Sequence, residues 1–442
     1  MKNIKLKIKG VRCFAEEQHF NIRPLTFLVG ENSTGKTTVM GCFNIIMNSI
    51  SHIFSHVPDF NREPYLMGSF QDIANKKLKG NSKTFEIGCE FELSQTKKNK
   101  KEPVVQKLEY KFHFTNKKNR SGPFIQKVKI SLDDFIYSIN SQKDLMIKKE
   151  GKKLIKLINR KKDINDEGIF NIFIKSPFSF LDFITRKSSD LSKSKKEIIL
   201  ENLEIIRHFE RELWIDTISL APIRSKPKRT YDPIRVNPDS EGSEIPMTLM
   251  NLSNKTGDWK TIRDKLVQFG QSSGLFSNIE VKKYGSVNEP FQLQFKVRGF
   301  QSNIMDIGYG VSQILPLLVR LFYPKNSRLG SSPFQFLLQQ PEVHLHPKAQ
   351  AELTSLFVES TKQDNSFLIE THSDHIINRA SIEIRKKNIS PDDVSLIYLE
   401  PTEKGVKAHN ISFDKQGNLK GVPKGYRDFF LEESDRYLGF KD

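Results

Sequence analysis

The chain has 442 residues, of which 37% are hydrophobic, and it carries 70 basic against 52 acidic side chains, a formal net charge of +18. This length allows two or three domains with a large core, and no uninterrupted apolar run reaches the roughly 18 residues that a membrane-spanning helix needs. The N-terminus interleaves charges and lacks an apolar signal core, so we expect a cytoplasmic protein without a membrane partner. Cys13, Cys42 and Cys89 lack metal-type spacing, and we expect reduced thiols.

The first thirty residues predict a β-layer. Residues 4–10 alternate apolar and basic side chains, residues 11–20 turn back, and residues 25–29 form a short apolar run. Alternation is typical of a strand with one buried face, whereas a continuous apolar run is typical of a strand buried on both faces. We therefore expect antiparallel strands followed by a fully buried strand.

The buried strand runs into Gly30-x-x-x-x-Gly35-Lys36-Thr37, which is the P-loop pattern. The glycines let successive backbone N–H groups point at an anion, Lys36 can reach the β and γ phosphates, and the Thr37 hydroxyl can bind Mg²⁺. A helix predicted over residues 37–50 points its positive end at the same charge. The alternative is an ordinary glycine-rich turn, which the flanking strand and helix disfavour. The residues predicted to bind ATP here are Gly30, Asn32, Ser33, Gly35, Lys36, Thr37 and Thr38.

A β-layer that leads straight into a P-loop resembles the start of ABC-type ATPases of the RecF and SMC kind within the AAA ATPases. The resemblance implies a Q-loop after the first helix, and Gln71 stands at that place. Gln71 is therefore a candidate contact for Mg²⁺ or for the attacking water. The alternative is a surface or turn residue.

Residues 73–216 match no motif of that superfamily and are interpreted as an insert. Segments 83–93, 105–115 and 123–131 alternate like strands joined by polar turns, which predicts an antiparallel meander. From about residue 135 to 212 the pattern predicts lysine-rich helices. The sustained heptads of an SMC-type coiled coil are absent.

Positive charge is concentrated in this insert. Residues 91–200 hold 26 basic and 13 acidic side chains, which is +13 of the net +18. Such clustering is typical of polyanion binding, so DNA is a candidate partner for residues 91–200. The alternative is a solvated surface insert without a polyanionic partner.

Residues 306–321 resemble the signature element of the same superfamily. Gly308, Gly310 and Ser312 precede an apolar helix, and the resemblance implies that this turn faces the γ-phosphate held by the other subunit. Two glycines allow close backbone approach, and the serine offers a hydroxyl donor. The alternative is a plain helix start capped by Ser312.

The apolar strand over residues 334–338 runs into Gln339-Gln340-Pro-Glu342-Val-His-Leu-His-Pro. This segment resembles the Walker B strand and D-loop of ATPases related to the overcoming-lysogenisation-defect nucleases, where acidic residues act on Mg²⁺ and on the attacking water. Gln339, at the Mg²⁺ position, and Gln340 can hydrogen-bond water but carry no charge and cannot act as a base. We therefore expect slow hydrolysis, a substitute carboxylate from Glu342 or Glu370, or an ATP-binding switch.

The last motif is a buried strand that ends in Glu370-Thr371-His372. The resemblance implies that His372 contacts the γ-phosphate, and the alternative is a structural histidine at a strand end. The residues beyond it are too few for the Toprim nuclease domain of the longer relatives. We therefore expect any cutting activity to belong to a separate effector.

Together the motifs predict an α/β fold: a P-loop ABC-type ATPase head with a mixed central sheet, an N-terminal antiparallel β-layer and an α+β insert. The expected parts are the first ATPase segment over residues 1–72, the basic insert over 73–216 and the second ATPase segment over 217–442. The resemblance implies a head-to-tail homodimer around two ATP molecules and Mg²⁺. Each site would combine the P-loop and His372 of one chain with the signature turn of the other.

Two functions stay open. The first is an ATPase that couples its nucleotide state to DNA or to an effector nuclease, as the resemblance to anti-phage relatives implies. The second is a nucleotide-gated scaffold or sensor with little hydrolysis that restrains or presents a partner effector, either a nuclease or a toxin. Gln339 and Gln340 favour the second function.

Overall fold

The computed structural model contains three β-sheets with helices packed against them. In the ranges it describes, no helix is both long and apolar enough to cross a membrane. The described residues are 3–51, 58–77, 84–95, 104–117, 122–133, 135–140, 145–149, 155–156, 185, 192–212, 216–285, 289–323 and 333–426.

Strands dominate the first part of the described chain, and helices interleave with strands in the second part. In chain order the strands are β1 (Ile4–Lys9), β2 (Gln18–Ile22), β3 (Leu25–Gly30), β4 (Thr84–Gln95), β5 (Val104–Thr115), β6 (Phe124–Leu132), β7 (Phe135–Asn140), β8 (Leu145–Lys149), β9 (Ile155–Lys156), β10 (Asp216–Leu220), β11 (Asn278–Lys283), β12 (Phe291–Val297), β13 (Phe300–Asn303), β14 (Phe334–Gln339), β15 (Ser366–Glu370), β16 (Val394–Thr402), β17 (Gly405–Phe413) and β18 (Leu419–Lys420). The helices are α1 (Lys36–Ser51), α2 (Phe70–Ile73), α3 (Lys193–Glu212), α4 (Ile245–Ser253), α5 (Thr256–Ser273), α6 (Tyr309–Phe322), α7 (Pro347–Thr361) and α8 (Asp374–Arg385).

The N-terminal layer and the predicted meander form one antiparallel sheet. Its eight strands run in the order β2-β1-β4-β5-β6-β7-β8-β9. β1 pairs with β2 on one side and with β4 on the other, so that Leu6 lies opposite both Phe20 and Cys89. The antiparallel pairing of β4, β5 and β6 confirms the meander.

The helical prediction from residue 135 onward is wrong at its start. β7, β8 and β9 occupy that stretch and extend the antiparallel sheet. The reason lies in the sequence of β7, Phe-Ile-Tyr-Ser-Ile-Asn, whose aromatic and β-branched side chains pair well across strands. α3 agrees with the helix predicted towards residue 212. Residues 157–184 and 186–191 lie outside the described residues.

The central sheet is mixed, as predicted, and places the ends of several strands at one edge. Its order is β10-β14-β15-β3-β16-β17-β18, with parallel pairing from β10 to β16 and antiparallel pairing beyond. Gln339 of β14 lies opposite Glu370 of β15, and Glu370 lies opposite Leu28 of β3. In parallel sheets, ligands bind outside these carboxyl ends. The observed layers confirm the predicted α/β fold class.

β3 contributes to two hydrophobic cores because its side chains alternate between the two faces of the central sheet. Leu28 packs with α1 and the antiparallel sheet, in a cluster that includes Met40 and Phe85. Phe27 and Val29 pack on the opposite face with α4 to α8. α1 therefore lies between the two large sheets, which fixes the direction of its first turn.

A smaller sheet leads into the last helical layer. β11, β12 and β13 pair antiparallel, and a 3-10 turn over Ile304–Asp306 joins β13 to α6. This arrangement positions the N-terminus of α6.

Phe367→Ala tests the core beneath the strand ends. Phe367 is fully buried, stacks on Phe336 at 5.2 Å and contacts Phe357 at 4.8 Å between ring centroids. We expect a loss of about 3–5 kcal/mol in the free energy of unfolding, measured by urea denaturation, because the cavity cannot collapse between rigid strands. Phe300→Ala is the control, since Phe300 is 76% exposed. An equal effect for both variants would contradict the described core.

Candidate functional site

The loop between β3 and α1 has a backbone that only glycine adopts easily at two places. Gly30 has φ +148° and Gly35 has φ +91°. A Cβ on Gly30 would lie 2.7 Å from the Leu399 carbonyl oxygen, and one on Gly35 would lie 2.5 Å from Cys13 Sγ. The loop is thus packed tightly against β16 and against the turn after β1, and it leads into the positive end of α1, where phosphate groups commonly bind.

Lys36 lies over this loop and is almost completely buried. Its Nζ donates hydrogen bonds to the carbonyl oxygens of Gly30 at 2.9 Å and Glu31 at 2.7 Å. Burial lowers the pKa of Lys36, and the charges of Glu370 and Glu31 oppose this shift. An anion bound in the loop would therefore meet an ammonium group that is already positioned beside it.

A cavity of about 300 Å³ opens at the loop. Of the predicted nucleotide contacts, Ser33, Gly35, Lys36, Thr37 and Thr38 line it. Glu370 from the end of β15 lines it too. Asn32 and Gln71 do not line this cavity, and both side chains are exposed.

Arg12 and Cys13 also line the cavity, and neither is among the predicted site residues. Arg12 follows β1 with φ +44°, and its guanidinium donates to Thr38 Oγ1 at 3.2 Å and to the Met67 carbonyl oxygen at 3.0 Å. The available signal was a basic residue in the turn between two predicted strands. Because Arg12 precedes the P-loop by many residues, only the fold brings them together.

The carboxylate of Glu370 contacts the first turn of α1. Thr37 Oγ1 donates to Glu370 Oε2 at 3.1 Å. Burial raises the pKa of Glu370, while the charge of Lys36 and the Thr37 hydrogen bond oppose the rise. Beside Glu370 in the sheet, Gln339 is buried, and its Nε2 has no hydrogen-bond partner among the described residues. The ends of the three adjacent parallel strands β14, β15 and β3 therefore lie at one level beside the P-loop, and Glu370 is the strand-end side chain that lines its cavity.

Glu342 holds the segment that carries His372. Its Oε1 accepts hydrogen bonds from Thr371 Oγ1 and from the His372 backbone N–H, each at 2.8 Å. Burial raises the pKa of Glu342 despite these bonds. Burial, followed by the charge of Lys36, lowers the pKa of His372, which favours the neutral imidazole. Gln340 lies in the turn before Glu342 with φ +42° and donates its backbone N–H to the Glu370 carbonyl oxygen at 2.8 Å.

The signature residues lie at the start of α6, outside the P-loop cavity. Gly308 is the N-cap residue, and nothing lies within 4 Å of a Cβ built on it. Gly310 packs so closely on the turn after β14 that a Cβ would lie 2.6 Å from the His344 carbonyl oxygen. The Ser312 hydroxyl donates to the Tyr309 carbonyl oxygen at 2.8 Å. Gly308 is exposed, whereas Gly310 and Ser312 are buried, and none of the three lines the P-loop cavity of the same chain.

A buried arginine is hydrogen-bonded to α6. Arg224 is 1% exposed, and its Nη1 donates to the Gln313 carbonyl oxygen at 2.7 Å. Its Nε and Nη2 have no hydrogen-bond partner in the described ranges. Burial lowers the pKa of Arg224 to about 10, and the charge of Glu342 opposes this. α6 also contains Pro316, so the Ser312 carbonyl oxygen lacks its helical N–H donor.

The residues at the loop fit a nucleotide with Mg²⁺. A phosphate site needs hydrogen-bond donors and positive charge, and these are supplied by the loop with Gly30 and Gly35, by Lys36 and by the Thr37 hydroxyl. No group of three or more metal-binding His, Cys, Asp or Glu side chains occurs in the described part of the chain. Thr37 and Glu370, which are hydrogen-bonded to each other beside the loop, could hold Mg²⁺ together with phosphate oxygens.

Residues 1–377 match the family model of the AAA ATPase domain, and the chain belongs to this family. No curated protein matches it significantly. Three SMC head structures are similar in fold at low identity. One, bound to the C-terminal winged-helix domain of ScpA, has 11% identity and a TM-score of 0.44, covering 94% of this chain and 99% of that one. The head from Thermotoga maritima has 11% identity and a TM-score of 0.38, covering 92% and 98%. The Pyrococcus furiosus head, bound to the C-terminal domain of ScpA, has 12% identity and a TM-score of 0.37, covering 99% and 98%.

Gly35→Ala tests the backbone conformation of the loop between β3 and α1. The new methyl group would lie 2.5 Å from Cys13 Sγ at a φ of +91°, so we expect a loss of about 1–3 kcal/mol in unfolding free energy, measured in urea. Cys13→Ala in the same chain should restore only part of it, because the backbone strain remains. Gly257→Ala is the control, since nothing lies within 4 Å of that position in α5. A neutral Gly35→Ala would contradict the described loop.

Arg224 and Glu342 should behave as an energetically coupled pair. We expect Arg224→Met to cost about 3–5 kcal/mol, because it removes the cation near a buried carboxylate. Arg224→Met with Glu342→Gln should cost less than the sum of the single changes, by about 0.5–3 kcal/mol in a double-mutant cycle. The exposed pair of Arg229 and Asp306 is the control and should show little coupling. Strict additivity for the buried pair would refute the coupling.

Proposed function

We propose that this AAA ATPase-domain chain binds Mg-ATP at the loop between β3 and α1. The observation that carries the proposal is the tight glycine loop with the Lys36 ammonium held over it at the positive end of α1. The Thr37 hydroxyl would help to hold Mg²⁺, which when bound would balance the negative charge of the phosphates. Lys36 and Thr37 would orient the phosphates, and the neutral His372 could hydrogen-bond the terminal one.

We further infer that the chain works as a RecF/SMC-like ABC-type ATPase that dimerises head to tail around ATP. This is supported by the separation of the signature residues from the P-loop cavity within one chain. The space around Gly308 is open, and large apolar side chains are exposed nearby at Met305 and Tyr309. A second copy could therefore approach Gly308 closely with its own P-loop.

The resemblance to ATPases of the overcoming-lysogenisation-defect group supports a role in which nucleotide state controls an effector nuclease or toxin in a cytoplasmic anti-phage system. DNA is the other proposed partner, through residues 91–200. The clusters at residues 97–101, 152–153 and 160–162 lie outside the described residues. Six phosphate contacts there would make affinity fall with roughly the fifth power of salt concentration.

The second candidate function is a nucleotide-gated scaffold or sensor with little hydrolysis. Gln339 and Gln340 favour it, because neither amide can take a proton from water at the end of β14. Glu342 is already engaged by Thr371 and His372. In this reading, ATP binding alone holds the oligomer that restrains or presents the effector.

Steady-state phosphate release and ATP binding, with and without duplex DNA, separate the two functions. Turnover on the order of one per second or more, lost in Lys36→Ala, supports the ATPase. Tight ATP binding with negligible release, which rises in Gln340→Glu, supports the nucleotide-gated scaffold. Lys415→Ala, an exposed lysine between β17 and β18, is the charge-matched control. Absence of ATP binding, or equal binding by Lys36→Ala, would overturn both.

A further inference from the structure

The negative charge at the site lies one strand away from the position that the motif pattern predicts. β14 ends in Gln339, which is neutral, while the adjacent parallel strand β15 ends in Glu370 at the same level. β15 lies between β14 and β3. Because neighbouring strands are about 4.8 Å apart, the carboxylate stands one strand closer to the P-loop than a Walker B carboxylate would.

Glu370 has the contact that a carboxylate beside Mg²⁺ requires. Its Oε2 accepts a hydrogen bond from Thr37 Oγ1 at 3.1 Å, and Thr37 is the P-loop residue whose hydroxyl suits Mg²⁺. It also lines the cavity together with Lys36. Among the described side chains, Thr37 is the one that hydrogen-bonds to this carboxylate.

The other nearby carboxylate has a different task. Glu342 accepts two hydrogen bonds from the Thr371 and His372 segment and does not line the P-loop cavity. Its charge also acts on the buried Arg224. Withdrawing it to serve a cation would leave the Thr371 hydroxyl and the His372 N–H without their acceptor and would remove a negative charge that acts on a buried guanidinium, which is costly.

We propose that Glu370, on the neighbouring strand, supplies the carboxylate that Gln339 lacks. Glu370 would bind Mg²⁺ beside Thr37, through water molecules that the ion carries. This inference rests on the proposed ATP binding at the P-loop. Mg²⁺ retains several water ligands and uses one or two carboxylates together with phosphate oxygens, so a single carboxylate one strand away can serve. Gln339 then places a neutral amide beside the Glu370 carboxylate, where an acidic residue would place a second negative charge. The Nε2 of this buried amide has no hydrogen-bond partner among the described residues.

The test is the gain in ATP affinity caused by Mg²⁺, measured by titration calorimetry with Mg²⁺ and with a chelator. Wild type should bind at least about tenfold more tightly with Mg²⁺. Glu370→Gln should lose most of that gain while retaining binding in the chelator. Gln339→Asp combined with Glu370→Gln moves the carboxylate to β14 and should restore the gain. Glu16→Gln, on the exposed turn between β1 and β2, should leave the gain unchanged.

The outcomes separate this inference from the proposed function. A full Mg²⁺ gain in Glu370→Gln would overturn the role of Glu370, whereas absence of ATP binding by wild type would overturn the proposed function itself. Thermal unfolding without nucleotide shows whether each variant folds. If Glu370→Gln is unfolded, Glu370→Asp replaces it: the shorter carboxylate should reduce the gain, and an undiminished gain would count against the proposal.

Discussion

The parallel alignment of β14, β15 and β3 is the constraint on which the site depends. Hydrogen bonding between these strands sets Gln339, Glu370 and Leu28 at one level, directly before the glycine loop. Both faces of the strands are covered by apolar packing, so the register is fixed by two cores at once. A slip of one residue would turn the polar ends to the other face and bury them among the wrong neighbours.

α1 connects the glycine loop after β3 to the antiparallel sheet. It is covered by the central sheet on one side and by β1 and β4 on the other. A helix with one free side could tilt to follow its ligand, but α1 has apolar neighbours on both sides. The position of Lys36 and Thr37 is therefore set by the strands of the insert as well as by the P-loop itself.

The sequence predicts well the parts in which local pattern and burial agree. β3, α1, β14 and β15 follow from apolar runs and glycine spacing, because these elements are buried in ways that their own residues specify. The prediction of helices is wrong for β7 to β9, because pairing with neighbouring strands determines the secondary structure of short segments that lack a clear hydrophobic period. Arg224 could not be found, because a basic residue in a proline-rich loop looks solvated until tertiary structure buries it. The roles of the predicted site residues stay predictions.

Pro316 interrupts the hydrogen bonding of α6. Ser312 lacks its helical donor because Pro316 has no N–H, and the next carbonyl, that of Gln313, is held by Arg224. The first turn of α6 therefore has one helical hydrogen bond fewer to the rest of the helix, and the Arg224 guanidinium adds a hydrogen bond at the same place. A force acting at Gly308 would therefore bend α6 near Pro316 before it moved the whole helical layer. The hydrogen bond from Arg224 to Gln313 would oppose this bending.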